Sequence, residues 1–303
     1  MEEKKVLWMS SSPHIRTKNS TQLIMLDVII ALLPVLIASV YIFGLRALYL
    51  TLVTVASCVL AEFVTQKAMK KTVRVRDLSA VVTGMLLAFN MPVTFPFWMA
   101  IFGGIFAIVI VKELFGGIGN NFMNPALAAR AVLLASWPTQ MGNFTLDGVS
   151  TATPLSGKPV EMMDLLLGNI GGVIGEVSKV AILIGFAYLL FKGVISYRMP
   201  VIYVATCAVL LFLLKYDMED TLMQLLSGGL LFGAVFMLTD YSTSPMSTTG
   251  QVIYALGAAL ITVVIRVYGG YPEGVSYGIL MMNVCTPIID KYVRPRTFGR
   301  VKK

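Results

Sequence analysis

The sequence predicts an all-α polytopic membrane protein of about ten transmembrane helices, arranged as two inverted five-helix repeats with broken helices. Three observations carry that expectation. Of 303 residues, 57% are hydrophobic and only 13% charged, with a mean hydropathy of +0.80, which is more apolar surface than a soluble fold of this size buries. Apolar stretches recur along the whole chain near the length that crosses hydrocarbon. Two polar breaks rich in glycine and proline in the first half have counterparts in the second.

In chain order the apolar stretches run near 22–43, 46–66, 78–91, 96–112, 123–137, 176–192, 199–214, 221–238, 251–267 and 275–290. The first follows a polar stretch and is long enough to span, so it reads as an uncleaved signal anchor. The stretches at 78–91 and 123–137 fall below the roughly 20 residues of a full crossing and read as broken or re-entrant helices sheltered inside protein. A single membrane domain then covers 1–303, with a first repeat over about 22–137, a loop over about 138–175 and a second repeat over about 176–290.

Basic residues fix the expected orientation, because Lys and Arg next to membrane segments are retained on the cytoplasmic side. With the N-terminus inside, 19 of the 24 Lys and Arg fall on that side: Lys4, Lys5, Arg16, Lys18, the run KAMKKTVRVR, Lys112, Arg130, Lys192, Arg198 and the basic tail. Arg46, Lys158, Lys179, Lys215 and Arg266 fall opposite. Both termini are therefore expected in the cytoplasm, and the long loop outside. The net charge of +8 is a topology signal of an integral membrane protein and implies no nucleic-acid partner.

That loop contains GVSTATPLSG at 148–157, with hydroxyls at Ser150, Thr151 and Thr153, and later the glycine-rich GNIGGVIGE. From its residues alone it reads either as a functional loop or as a flexible connector.

The internal repetition lies in KELFGGIGNNFMNPALAARAVLL from Lys112 and RVYGGYPEGVSYGILMM from Arg266. Each places a base before an aromatic-Gly-Gly step, then a polar break with proline, then a helix of small residues. AFNMPVTFP precedes the first and MLTDYSTSP the second. An odd number of segments per half inverts the second half about an axis in the membrane plane; independent recurrence of common helix breaks is the alternative. Asn120, Asn121, Asn124, Asp240, Thr243, Ser244, Glu273 and Asn283 gather at these breaks. They either line a polar ligand site built from both halves or satisfy one another and the broken helix ends.

Other chemistry is excluded. The one histidine, His14, makes no metal site. Cys58, Cys207 and Cys285 lie in three separate apolar segments and form neither a disulfide framework nor a clustered iron-sulfur motif. No phosphate-binding loop, dinucleotide fingerprint or serine-histidine pairing is present. Asp27 and Glu62 fall within apolar segments, yet near enough to an interface to be expected as solvated.

Five stretches in order resemble signature motifs of the RnfD/NqrB family of membrane redox subunits: SSPHIR at 11–16, FGGIGNNFMNPALAAR at 115–130, DGVSTATPL at 147–155, TDYSTSPMSTTG at 239–250 and GGYPEGVSYGILMMN at 269–283. The chain is more similar to the RnfD branch. The resemblance implies that Thr153, ending Ser150-Thr151-Ala152-Thr153, carries FMN through a phosphoester, with Asp147, Gly148, Ser150 and Ala152 around the attachment. Thr151 stands where the family often has Gly and leaves a second hydroxyl nearby. A hydroxyl does not attack a phosphoryl donor unaided at neutral pH, so attachment implies a separate flavin transferase. Lys158 is a candidate to neutralise the phosphodiester, with an exposed lysine as the alternative, and Pro154 is suited to start a helix whose N-terminus favours an anion.

The resemblance also implies a second, noncovalent riboflavin among the broken helices, with Asn120, Asn124, Asp240 and Glu273 as candidates for its surroundings. The implied role is an electron relay in an Rnf-type complex of the cytoplasmic (inner) membrane, which passes electrons between ferredoxin and NAD+ and couples this to Na+ or H+ movement. Partners of the A, B, C, E and G types supply the ferredoxin and NAD+ sites, since this chain carries no signature for either. A secondary transporter or channel without flavin is the competing reading, because it shares inverted repeats and polar broken helices.

Overall fold

A computed structural model describes residues 20–146, 149–150, 162–168, 170–176, 178–214, 217–269 and 274–293. Apart from one two-residue strand pair, its regular elements are helical. Helix α1 (Thr21–Phe43) starts where the Ser20 hydroxyl accepts from the Leu23 N–H, the usual way an orphan N-terminal donor is satisfied. It ends at Gly44, whose φ of 76° turns the chain directly into α2 (Leu45–Ala68). Such a left-handed conformation suits glycine and strains other residues.

A one-turn 3-10 helix (Val75–Asp77) leads into α3 (Ser79–Phe89), which stops at Asn90. Asp77 starts this helix, its Oδ1 accepting from the Ser79 N–H at 2.9 Å and the Ser79 hydroxyl at 2.6 Å. Helix α4 (Phe97–Ile105) continues as a π-helical stretch, Phe106–Glu113, a geometry that inserts an extra residue per turn and is frequent at functional sites. Arg46 ties the break between α3 and α4 to the α1–α2 turn by donating to the carbonyls of Val93 at 2.9 Å and Thr94 at 3.2 Å.

Asn124 then caps α5 (Pro125–Ser136), accepting from the N–H groups of Ala126 and Leu127, with proline in the first turn where its missing N–H costs nothing. The Trp137 ring meets Trp98 and Phe102 edge to face at 5.5 Å, so the end of α5 lies beside the start of α4. Short helix α6 (Pro138–Met141) and the antiparallel pair β1 (Thr145–Leu146) and β2 (Val149–Ser150) follow.

The second half contains α7 (Met162–Leu167), a 3-10 turn (Ile174–Glu176), α8 (Lys179–Phe191), α9 (Arg198–Leu213), α10 (Met218–Leu226), α11 (Leu230–Phe232, continuing as a π stretch Gly233–Met237), α12 (Thr248–Tyr268) and α13 (Val275–Tyr292). Helix α8 packs along α1, and Tyr188 donates to Asp27 at 2.8 Å. Helix α12 packs between α9 and α13, joined to α9 by a 2.9 Å hydrogen bond between Tyr203 and Thr262. Helices α10 and α11 bend by 61° at their break.

Each expected apolar stretch coincides with a helix or a helix plus its π continuation, except 221–238, which is split between α10 and α11 at their 61° bend. Among the described residues, three helices are long and apolar enough to cross a membrane by themselves, Thr21–Phe43, Leu45–Ala68 and Thr248–Tyr268, and up to four spans are reached if the bent pair counts as one. Large apolar side chains such as Ile37, Leu60, Phe191 and Leu213 face outward. A surface this apolar fits a multi-pass membrane protein.

Four basic residues counted as loop charges are instead inside the protein. Lys112, Arg130 and Lys179 are buried, and the Arg266 guanidinium is turned inward onto backbone carbonyls. Removing them takes two from each side of the orientation count, so its direction survives. Glu62, expected near solvent, is 1% exposed.

Candidate functional site

Two cavities open where the breaks in the helices meet. The first lies between α1, α3, the start of α5, the end of α8 and the π stretch after α11. Its walls are apolar at Met25, Val82, Leu86 and Phe236 and polar at Ser79, Lys112, Asn121, Asn124 and Asp240. A mostly apolar concavity with a few convergent polar groups is the usual form of a site for a planar organic ligand.

Of the residues expected at a shared polar site, the fold brings Asn124 and Asp240 together, with the Asn124 amide donating to Asp240 Oδ2 at 3.5 Å. Asp240 is further held by the Ser242 N–H at 3.1 Å and hydroxyl at 2.9 Å and by the Thr243 hydroxyl at 3.2 Å. Burial pushes its carboxyl above the ordinary range, and these hydrogen bonds oppose the rise. Asn121 adds an Oδ1 that is buried without a partner, a costly state for a polar atom unless a ligand or water completes it.

Asn120 lies elsewhere. It lines a second cavity with Glu62, Gln66, Lys71, Arg74, Asp77, Glu113 and the glycine loop. The loop depends on Gly116, Gly117 and Gly119, whose φ values are 114°, 90° and 85°. Ser244 and Asn283 are buried, Asn283 accepting a hydrogen bond from Tyr254. Asp147, Gly148, Ala152, Thr153 and Lys158 of the loop, together with Thr151, Glu273 and His14, lie outside the described residues. Ser150 is described only as backbone of β2, paired with Thr145.

The structure adds residues that sequence reasoning missed. Lys112 Nζ lies 2.7 Å from Glu62 Oε1 and 2.6 Å from Ser79 Oγ. Arg130 donates to Asn90 Oδ1 at 2.6 Å in the protein interior. Buried Glu176 and Lys179 and the partly buried Arg266 form a third charged group at the break between α10 and α11. The available signal was opposite charges inside apolar stretches, which are costly there unless paired. Among the described residues no group of three His, Cys, Asp or Glu is placed to hold a metal ion.

Comparison with known proteins aligns residues 8–299 with the profile of the NQR2, RnfD, RnfE family. The chain is 52% identical over 309 residues to the D subunit of the Na(+)-translocating ferredoxin:NAD(+) oxidoreductase complex of Acetobacterium woodii, covering 98% of this chain and 96% of that protein. It is 37% identical over 322 residues to the D subunit of the proton-translocating ferredoxin:NAD(+) oxidoreductase complex of Clostridium ljungdahlii, covering 98% and 97%. It is 36% identical over 330 residues to the D subunit of the ion-translocating oxidoreductase complex of Stutzerimonas stutzeri, covering 93% of each.

Proposed function

The chain belongs to the NQR2, RnfD, RnfE family, and on that basis we propose that it is the D-type electron-relay subunit of an ion-translocating ferredoxin:NAD+ oxidoreductase complex. The observation that carries the reading is the 52% identity over 98% of the chain to a protein of that name. The chain sits in the cytoplasmic (inner) membrane with both termini inside. Ferredoxin and NAD+ act at partner subunits of the A, B, C, E and G types, and the coupling ion is Na+ or H+.

The two-repeat architecture is supported by matched packing. Helix α2 packs on α3 and α4, as α9 packs on α10 and α12, while α1 and α8 pair with each other. Lys112 from the end of the α4 unit reaches Ser79 at the start of α3. Arg266 from the end of α12 reaches the Ser227 carbonyl just before α11. The first repeat covers about 22–137, the flavin-bearing loop about 138–175 and the second about 176–290.

Thr153 is the residue proposed to carry FMN, attached by a partner flavin transferase on the extracytoplasmic side, with Asp147, Gly148, Ser150, Ala152 and Lys158 around it. The first cavity is proposed to hold a noncovalent riboflavin. Its walls fit that group, since Asn121 Oδ1 lacks a partner and Asn124 and Asp240 present polar atoms beside apolar faces. Glu273 remains a candidate neighbour of that group. A bound isoalloxazine supplies one- and two-electron chemistry, while the protein supplies position, electrostatics and exclusion of water.

The test is genetic and biochemical together. Membranes lacking only this chain are expected to lose NAD+ reduction by reduced ferredoxin, and the purified chain is expected to bring flavin with it. A flavin-free chain that passes a solute across vesicles would instead establish the transporter reading.

A further inference from the structure

We propose that Glu62, Lys112 and Ser79 form a proton relay that joins the second cavity to the first, and so delivers protons to the flavin placed there. This rests on the assignment of a noncovalent flavin to the first cavity.

The geometry is continuous. The second cavity begins at exposed Lys71 and Arg74 and ends on Glu62. Glu62 Oε1 accepts from Lys112 Nζ at 2.7 Å and from Gln66 Nε2 at 3.1 Å, whereas its Oε2 is buried without a partner. Lys112 also donates to Ser79 Oγ at 2.6 Å, and Ser79 Oγ donates to Asp77 Oδ1 at 2.6 Å. Glu62 and Asp77 line the second cavity, while Lys112 and Ser79 line the first. Among the described residues the one lining both is Ile118, which is apolar. Polar connection between them therefore runs through the bonded row Glu62, Lys112, Ser79 and Asp77.

The surroundings of Glu62 suit a site that exchanges protons. Lys112 and Glu113 face it from the π stretch, Gln66 and Cys58 from its own helix, Asp77 from the 3-10 turn and Ser79 from α3. Lys71 is drawn to Glu113. Three acids and two lysines leave the group near neutrality, so one proton can move within it at small electrostatic cost.

Electrons that reach an isoalloxazine in a cavity of low dielectric leave a negative charge whose neutralisation by one proton per electron is strongly favoured. Starting from the Lys112 ammonium and a protonated Glu62, Lys112 gives one N–H proton to a reduced isoalloxazine bound in the first cavity. The neutral Nζ then takes the proton of the Glu62 carboxyl. The carboxylate takes one from a water of the second cavity, whose hydroxide is neutralised by the solvent, so that both residues regain their starting protonation. The electron comes from the complex, as the proposed activity requires.

The alternative is that Glu62 and Lys112 are only a buried structural pair. Glu62→Gln keeps an acceptor for Lys112 but holds no exchangeable acid, and Lys112→Arg keeps the charge but does not release a proton. The complex carrying each variant is compared with wild type in three measurements: riboflavin released on denaturation, the stopped-flow rate of flavin reduction in H2O and D2O, and the infrared carboxyl band that Glu62→Gln removes. The expected result is unchanged riboflavin content, reduction slowed by about a hundredfold, as loss of a positioned proton donor gives, and a Glu62 band that shifts in D2O. Variants that keep both riboflavin and the wild-type rate overturn the relay, as do variants that lose the flavin, which mark the pair as structural. Wild type that releases no riboflavin refutes the flavin assignment instead, and a Glu62 band that then fails to exchange in D2O overturns the relay as well.

Discussion

Arg266 reaches across the break between α10 and α11, its guanidinium donating to the carbonyl of Ser227 at 3.1 Å and also to that of Gln224. These are carbonyls at the C-terminal end of α10, where a helix leaves acceptors unsatisfied and favours a cation. Glu176 packs at the other side of the break, where a side chain added to Gly229 would meet its Oε1 at 2.9 Å, and Lys179 donates to the Glu176 carbonyl. A broken helix that could have been closed by a ligand is closed here by the chain's own charges.

Removing the Arg266 guanidinium leaves two partly buried carbonyls and part of the Glu176 charge uncompensated. Arg266→Leu is therefore expected to destabilise the detergent-solubilised protein by about 2–5 kcal/mol. Arg266→Lys should recover part of that loss. Thermal unfolding of the two variants measures it, and equal melting of Arg266→Leu and wild type would refute the clamp.

Asn124 has two duties, capping α5 and meeting Asp240. Asn124→Ala should cost about 1 kcal/mol as a lost cap and also lower the riboflavin released from the protein. Asn124→Ser keeps a cap and should keep the stability while still losing riboflavin. Parallel loss of both quantities in the two variants would leave Asn124 a cap alone.

Gly119 holds a φ of 85° with open space around it, so Gly119→Ala isolates backbone strain from steric clash. The expected loss is about 1 kcal/mol, read as a lowered melting temperature. An unchanged melting temperature would show that the loop relaxes without its left-handed turn.

Reporter fusions after residue 70 and after residue 300 should read as cytoplasmic, and a fusion within 140–170 as external. An internal reading for that loop would reverse the orientation and the side on which the covalent flavin is attached.

The helices were legible because apolar runs end at polar or glycine punctuation: 22–43 was expected and Thr21–Phe43 is observed. The meeting of Asn124 with Asp240 was legible too, since each is a polar residue at a helix break, one in either half of the chain. The buried charges were not. Lys112 ends an apolar stretch in sequence and so reads as a loop charge, yet the π stretch turns it inward to Glu62, 50 residues away. Nothing local announces a partner at that distance. The same holds for Arg130, which pairs with Asn90 from another helix. Asn120 was misplaced because the three left-handed glycines before it aim the loop toward the second cavity.

The electron-relay account stands most directly on the flavin of Thr153, because a phosphoester survives denaturation and gel electrophoresis. Protein made with its flavin transferase should give a fluorescent band near 33.0 kDa, with FMN located by mass spectrometry on the peptide containing Thr153. Thr153→Ala removes the one oxygen proposed to form that bond and should abolish the fluorescence while the protein still folds, whereas Thr151→Gly should retain it. Fluorescence that persists in Thr153→Ala and vanishes in Thr151→Gly would place the flavin on the other hydroxyl, and a dark band in every version would contradict the relay itself.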